Sequence, residues 1–571
     1  MFKKIKNLIA KINHQSQSIT SAAIIIGGLS VVSRFLGIFR DHVLAGQFGA
    51  GDILDAYYAA FRLPDLVYNL IILGAVSAGL IPVFTSLLAK HEEKDAWKLI
   101  NSVLNLLSVL LLVVCVILFL AAPWLVPLIT PGFPPEKISL VIGLSQIMFL
   151  SPFLLGLSAI FSSVLQSFRK FLIYSLAPLL YNLGIIFGAL FLVKPFGIYG
   201  LAWGVVIGAL AHMIVQLLPI FSVGFKYRWD FNWRDKNVIK VVKMMAPRTV
   251  SLGISQINFL IITIVASTLA AGSLAIFNLS NNLQNFPLGV FGVSLGVAAL
   301  PVLSLFAAKN KMSDFIATLS TTFRQTLFFI VPISVLLYVL RAQVVSVILG
   351  SGHFDWYDTR LTAACLGIFC LGLFAQGAYP LVIRAFYALH NTKTPFYIGV
   401  AALAVNIVAL IFFRWIFAVN NWFSFVATAL LRLSDLNGVV DWRVLALPAA
   451  ITISSIFELL ILLIALRIKI GRLDGRKILS SSWRIIIAAL GGGLLAYGIL
   501  QLADWYVPTE KVWGLFVQGL FAGLSGILGY TILGTVLKME EMFIFLTSLH
   551  RRLFKTAVVM AEDSIAEGDK G

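Results

Sequence analysis

The sequence predicts an all-α polytopic membrane protein of about fourteen transmembrane helices, and three observations carry that prediction. Of 571 residues, 60% are apolar and only 12% charged, with a mean hydropathy of +0.96. A soluble domain is about a quarter charged, because its surface must be wetted, and disorder requires low hydrophobicity. Both classes are excluded. The apolar residues also gather into runs of about 20 or more, the length a helix needs to cross a hydrocarbon core. Finally, Lys and Arg crowd into every second connection, as they do in cytoplasmic loops.

In chain order the runs lie near 19–39, 53–88, 98–128, 138–167, 172–193, 197–223, 238–270, 274–307, 315–340, 361–389, 395–416, 444–466, 480–503 and 512–537. Several exceed the thickness of a membrane, which calls for tilt, bends or interfacial extensions. Pro64, Pro82, Pro287 and Pro301 fall inside runs. Each removes a backbone donor, so each marks an expected bend. Before the first run, Phe2, Ile5, Leu8, Ile9 and Ile12 share one helical face, with Lys3, Lys4, Lys6 and Lys11 elsewhere. That is the pattern of an interfacial helix, and segment 539–560 repeats it around His550-Arg551-Arg552. The mixed region 417–442 reads as an external loop or surface helix. The N-terminus lacks a signal-peptide plan.

The net charge of +18, from 43 Lys+Arg against 25 Asp+Glu, would suggest nucleic acid in a soluble protein. Here it is topology. Even-numbered connections and both tails outweigh the odd-numbered ones roughly three to one in Lys and Arg, which places both termini in the cytoplasm. The densest patch, Lys226 through Arg234 to Lys243, reads as a cytoplasmic linker between two halves. Cys115, Cys365 and Cys370 lie in apolar runs without a Cys/His cluster, so neither disulfides nor a metal site is expected.

The informative charges are those inside the runs: Arg34, Arg62, Arg248, Arg324, Arg384 and Arg484, with Asp55, Asp65 and Glu458. An Arg at mid-bilayer costs about 2.5–3.5 kcal/mol even on the lenient scale, so such residues face a cavity or a partner, or snorkel to an interface. Arg324 and Arg484 lie near the starts of their runs and are expected to snorkel. Ser33, Arg34, Gly37, Arg40 and Asp41 close the first run, and Asp55, Arg62 and Asp65 open the second. Arg34 and Gly37 share a helical face, the glycine leaving room beside the guanidinium; Asp55 and Arg62 are two turns apart. One reading is an anion site, since Arg binds phosphate through a fork and keeps its charge when partly desolvated. The other is a lattice of ion pairs in which Arg34, Arg40 and Arg62 merely neutralise Asp41, Asp55 and Asp65. His212, alone inside a run, reads as a packed or hydrogen-bonded histidine. No P-loop, HExxH or GxSxG motif competes, so an enzyme is not expected, and any uphill transport would draw on the membrane potential or an ion gradient.

The string Ser33-Arg34-Phe-Leu-Gly37-Ile-Phe-Arg40-Asp41, then Phe48-Gly49-Ala50-Gly51, Asp55-Ala56 and Ala60-Phe61-Arg62-Leu63-Pro64, resembles the MurJ/MviN family of lipid II flippases. Pro247-Arg248, Ser255-Gln256-Ile257-Asn258, Asn285-Phe286-Pro287-Leu288-Gly289-Val290, Arg384-Ala385-Phe386-Tyr387 and Thr392-Lys393-Thr394-Pro395 extend the resemblance through the eleventh run. It implies the fold of the multidrug/oligosaccharidyl-lipid/polysaccharide exporters: two six-helix lobes in a V around a central cavity, plus two C-terminal helices forming a groove for a polyprenyl tail. The corresponding division is an N-tail 1–17, an N-lobe 18–225, a linker 226–243, a C-lobe 244–470, two extra spans 471–538 and a C-tail 539–571.

The implied activity is movement of the lipid-linked peptidoglycan precursor from the inner to the outer leaflet of the bacterial inner membrane. Ser33, Arg34, Arg40, Arg62, Arg248 and Asn282 are then expected to bind substrate, and Gly37, Asp41, Asp55 and Arg384 to gate or shape the path. Lipid II, membrane lipids and other cell-wall synthesis proteins are the implied partners, with no cofactor. The chain departs from the family pattern at Tyr68, Leu73, Asn281-Asn282 and Asn391, losing at least two cavity arginines, for which Arg248 and Arg384 are expected to substitute in part. The nearest residues to the acid that binds sodium in some members are Ile262 and Thr263, which argues against sodium as the coupling ion. Two other functions compete: export of another polyprenyl-diphosphate-linked glycan, and a transport-dead cell-wall scaffold.

Overall fold

A computed structural model describes residues 19–73, 79–419, 421–431, 441–506 and 512–553, which form helices with no strand among them. The predicted amphipathic tail 1–17 lies outside these residues. In chain order the α-helices are α1 (Ile19–Phe48), α2 (Asp52–Ala60), α3 (Arg62–Val67), α4 (Ile81–Ala89), α5 (Glu93–Ile129), α6 (Pro135–Met148), α7 (Leu150–Ser167), α8 (Phe171–Phe187), α9 (Val193–Phe196), α10 (Tyr199–Ser222), α11 (Lys236–Ser267), α12 (Ser273–Pro287), α13 (Ser294–Ala308) and α14 (Met312–Val339). Then follow α15 (Arg341–Leu349), α16 (Trp356–Ala388), α17 (Lys393–Ile416), α18 (Trp422–Leu430), α19 (Ala446–Ile470), α20 (Gly475–Ala503), α21 (Val512–Val536) and α22 (Glu540–Leu553).

Eleven continuous helical stretches are long and apolar enough to cross a membrane. The remaining three predicted runs fall on α1, on the broken helix from α2 to α4, and on α11; these are helical but are not among the eleven. Helix α11 begins at Lys236, so the second half of the predicted linker is the first two turns of a helix. The extended part, 226–230, is fastened to α5: Asn101 Oδ1 accepts from the Arg228 amide at 2.8 Å, and Asn105 Nδ2 donates to the Asp230 carbonyl at 2.9 Å. We call the side carrying this segment the linker face and the opposite side the far face.

On the linker face the hairpins share one closing device. His91, Arg169, Asn310, His390 and Lys538 all take positive φ, and the amide after each reaches back to a carbonyl five residues earlier. The bonds from Glu92 to Leu87 and from Lys170 to Leu165, at 3.0 and 2.9 Å, are examples. This left-handed closure satisfies helix-end carbonyls that would otherwise be orphaned at the membrane boundary.

Within the N-lobe, α8 lies almost in contact with α10. Gly200, Gly204 and Gly208 recur every fourth residue on one face of α10, opposite Gly184 and Gly188, and a Cβ at any of them would meet partner backbone. Small residues at this spacing let helix backbones approach where lipid supplies no hydrophobic drive. The C-lobe packs α16 centrally against α12, α13, α14 and α19, while α20 and α21 pair with each other and lean on α14. The lobes touch along two seams, α11 on the broken second run and α12 on α1, and again where α15 meets α1 on the far face.

Two of the four predicted proline bends coincide with a break or a π-turn; Pro82 stands in the first turn of α4, and Pro301 lies inside α13 without a break. The chain breaks at Phe61, just before Pro64, and passes into a π-helical turn at Tyr68–Leu73. Pro287 likewise ends α12 and hands on to a π-turn at Leu288–Val293. The region read as loop or surface helix contains α18, and the predicted C-terminal amphipathic segment contains α22, whose Phe543, Ile544 and Leu549 are exposed.

Candidate functional site

A cavity of about 400 Å³ lies between the lobes, walled by α1, α2, α3, α8, α11 and α12. Arg40 and Arg62 face it from the N-lobe, Asn278, Asn281 and Asn282 from the C-lobe. Arg40 forms an ion pair with neighbouring Asp41 at 2.8 Å and donates from Nη1 to Asn182 Oδ1 at 3.1 Å. Asp41, 4% exposed, accepts from Asn282 Nδ2 at 2.9 Å on its other oxygen. Asn282, predicted as a substrate ligand, is therefore the C-lobe half of a polar bridge between lobes.

Arg62 makes a second bridge. Its Nε donates to Thr263 Oγ1 and its Nη2 to Asn278 Oδ1, both at 2.8 Å, and its guanidinium sits 5.3 Å from the centre of the Phe259 ring. Both acceptors are neutral, and among the described residues no carboxylate lies within ion-pair distance of Arg62. Asp65, three residues on, lines the same cavity and offsets part of this positive charge without pairing with it.

Asp55 behaves differently from either sequence reading. Phe61 keeps helical dihedrals between α2 and α3, and Asp55 and Arg62 both reach α12, at Ala275 and Asn278, so they share a face but do not pair with each other. Instead Asp55, 1% exposed, is bound by Lys137 Nζ of α6 at 2.8 Å. It also accepts from the Gly272 amide at 2.7 Å and the Ala275 amide at 2.8 Å. Those amides belong to the start of α12, where unpaired N–H groups and the helix dipole favour a carboxylate. The N-lobe thus caps a C-lobe helix. Two further bonds close the same face: Ala50 N donates to Asp358 Oδ2 at 2.8 Å, and His353 N to the Gly46 carbonyl at 2.9 Å.

Arg34 lies outside the cavity, on the seam between α1 and α12. Its Nη1 reaches the Asn285 carbonyl at 3.4 Å, and its guanidinium lies against Gly289, where any Cβ would collide with it. Phe35 and Phe286 stack edge-on beside it, with centroids 5.3 Å apart. Ser33 precedes it, half-buried. A Cβ at Gly37 would meet no atom within 4 Å, so this glycine provides no close approach, although Arg34 three residues earlier packs against α12. The glycine that receives the guanidinium is Gly289. A Gly289→Leu variant is expected to expel Arg34 from the seam and to fail in complementing a flippase-depleted strain. Gly37→Ala should grow normally, gaining up to about 1 kcal/mol of helix propensity; poor growth of Gly37→Ala at wild-type protein levels would contradict this assignment.

Arg384 does not line the central cavity; it lies beside Gly296 of α13 and donates to the Pro380 carbonyl at 3.0 Å. It therefore does not replace the missing cavity charge. The backbone of Arg248 belongs to α11, and its side chain lies outside what the structure describes. Arg324 does not snorkel: it is 9% exposed and paired with Glu540 and Glu541 of α22. Arg484 is half-buried and reaches the Lys538 carbonyl at 3.4 Å. His212 is hydrogen-bonded to Ser158 at 2.7 Å, as a packed histidine would be. Glu458 lines a separate C-lobe cavity of about 510 Å³. Sequence reasoning missed Lys137, Asn182, Thr263 and Asn278 as partners. Their signal is three-dimensional: each lies 82 to 216 residues from the charge it serves.

An all-helical membrane protein of two lobes, bridged by polar side chains around an internal cavity, has the fold of the multidrug and polysaccharide exporters. The solved inward-facing conformation of a multidrug resistance MATE family transporter of the MOP superfamily shares this fold, with a TM-score of 0.60 at 14% identity over 77% of this chain and 94% of that one. Residues 44–517 match the family described as lipid II flippase MurJ, and the chain belongs to that family. It is 30% identical to the probable lipid II flippase MurJ of Buchnera aphidicola subsp. Acyrthosiphon pisum over 382 residues, 66% of this chain and 75% of that protein. It is 28% identical to the lipid II flippase MurJ of Burkholderia cenocepacia over 394 residues, 67% of this chain and 76% of that protein. A structure of lipid II flippase MurJ in an inward closed conformation matches with a TM-score of 0.70 at 25% identity, covering 90% of this chain and 98% of that one.

Proposed function

We propose that this chain moves lipid II from the cytoplasmic to the outer leaflet of the bacterial inner membrane by alternating access, supplying cell-wall synthesis. The observation that carries this reading is Arg62, an intramembrane guanidinium tied to two neutral acceptors and open to the cavity. A diphosphate joins lipid to sugar in such a precursor, and a desolvated Arg fork is suited to it. Arg40 is proposed as a second contact, its partner Asp41 losing Asn282 when the lobes separate, and Arg34 as the guard of the seam through which the lipid enters. Asn278, Asn281 and Asn282 offer amides to sugar or peptide.

The linker face is assigned to the cytoplasm, with both termini there, because its connections carry the excess of Lys and Arg. An anion carried away from an inside-negative cytoplasm moves downhill, by about 2.3 kcal/mol per charge per 100 mV. The membrane potential is therefore the proposed drive. Thr263, nearest to where some members place a sodium-binding acid, is engaged with the Arg62 guanidinium, which would repel a second cation there. Contacts with other cell-wall synthesis proteins belong to the same proposal.

The test is Arg34→Ala in a strain depleted of its own flippase, alongside reconstituted vesicles carrying labelled lipid II. Complementation and translocation should both be lost with protein levels unchanged. Normal growth would remove Arg34 from the mechanism, and wild-type vesicles that neither bind nor move lipid II would favour a scaffold.

A further inference from the structure

At the linker-face ends of α14, α20 and α21, beside α22, lies a cavity of about 650 Å³ that shares no residue with the central one. Its wall carries five basic side chains, Arg324, Arg476, Lys477, Arg484 and Lys538, against three acidic ones. Two of the acids are occupied within the wall: Glu540 and Glu541 bind Arg324 Nη1 at 2.9 and 2.5 Å, and Glu541 also accepts from Ser481 at 2.9 Å. Among the described residues Arg476, Lys477 and Lys538 form no ion pair. Arg324 Nε is buried without a hydrogen-bond partner. The first turn of α20 starts at Gly475 in this wall and adds its unpaired amides to the positive field.

Beside the cavity wall, α20 carries an apolar stripe interleaved in sequence with the lining residues Lys477, Ser480 and Arg484. Leu479, Trp483 and Ile486 stand at i, i+4 and i+7 on α20 and are 72%, 53% and 46% exposed. They run from the charged wall along the helix into the bilayer. A phosphate alone needs no such stripe, and an acyl chain alone needs no cluster of cations. We infer that this cavity binds an anionic phospholipid of the linker-face leaflet, its headgroup phosphate among Arg476, Lys477, Arg484 and Lys538 and its chains along Leu479 and Trp483. Basic recesses between membrane helices recognise headgroups through the same combination of cations and adjoining apolar surface.

The full-length chain, purified in neutral detergent and titrated in native mass spectrometry, tests this with three probes. Dioleoyl phosphatidylglycerol should bind at least about tenfold more tightly than dioleoyl phosphatidylcholine, and removing three basic residues (R476A/K477A/K538A) should weaken it on the order of a hundredfold. Inorganic phosphate should neither bind at millimolar concentration nor displace the lipid. Leu479→Ser, which leaves the wall charges unchanged, should weaken phosphatidylglycerol about tenfold; Lys236→Ala/Lys240→Ala, which removes charge from α11 on the same face, should not. Equal retention of the two lipids, unchanged binding by the triple variant, equal loss in the α11 control, or displacement by phosphate would each overturn the assignment.

Discussion

Replacing Asp55 with Ala is expected to open the far face. The carboxylate shares Lys137 with Asp52 and holds two amides of α12, so its loss leaves the 7%-exposed ammonium to Asp52 alone and uncaps a helix in the same step. Removing one partner of a buried ion pair costs about 3–5 kcal/mol when the other is left alone; the pair that Lys137 keeps with Asp52 at 2.6 Å lowers that part of the cost, and the lost cap of α12 adds to it. Because the bonds to α12 exist only when the lobes meet, much of that cost falls on the closed state. A shift of this size changes a two-state ratio by on the order of a hundredfold or more. Spin labels on Glu136 and Trp356, one exposed far-face position in each lobe, should report a longer distance in the variant. Asp55→Leu combined with Lys137→Met, which removes both charges, should recover the short distance in part, since an apolar replacement of a buried pair is often tolerated. Identical distance distributions in wild type and Asp55→Ala would show that Asp55 does not hold this gate.

The second large effect belongs to Arg62. Hydrogen bonds to a charged group contribute about 1.5–3 kcal/mol each, and Arg62→Ala removes two together with the charge. Translocation of labelled lipid II in vesicles should fall at least about a hundredfold. Arg62→Lys keeps the charge but has one compact ammonium in place of a fork, so it should recover binding more than rate. Equal rates in Arg62→Lys and wild type would show that charge alone suffices. Wild-type transport by Arg62→Ala would remove the residue from the substrate path.

The membrane helices are legible from composition alone, because crossing a hydrocarbon core demands only length and apolarity. The charged positions are legible too, since each polar group inside a run stands out against its neighbours. Their partners are not. Asp55 and Arg62, seven residues apart, both reach α12, yet one is paired by Lys137 of α6 and the other by Thr263 of α11, neither of which the spacing names. In the sequence Lys137 is indistinguishable from ordinary loop charge. Arg324 sits where an arginine usually snorkels, yet its partners Glu540 and Glu541 follow more than two hundred residues later. Helical spacing tells which residues share a face, not which face meets another helix. For that reason spacing points to Gly37 for a role that Gly289 fills. The lobes and cavity are reached through resemblance to a family, since run length cannot say how helices group.

Of the three π-turns among the described residues, Gly188–Leu192 follows α8, while Tyr68–Leu73 and Leu288–Val293 stand in the second helix of each lobe, directly after a proline-marked break or helix end. A π-turn stores one surplus residue within an otherwise regular helix. If that surplus is handed along by one position, everything beyond it turns by about 100° while the hydrogen-bond ladder stays almost complete. In hydrocarbon, where unpaired amides are costly, this is an inexpensive way to rotate half a helix. The far-face latch at Asp55 and the linker-face hairpins lie on opposite sides of these turns. Each lobe therefore contains a swivel, and the two ends of the pathway can change orientation in sequence without either lobe unwinding.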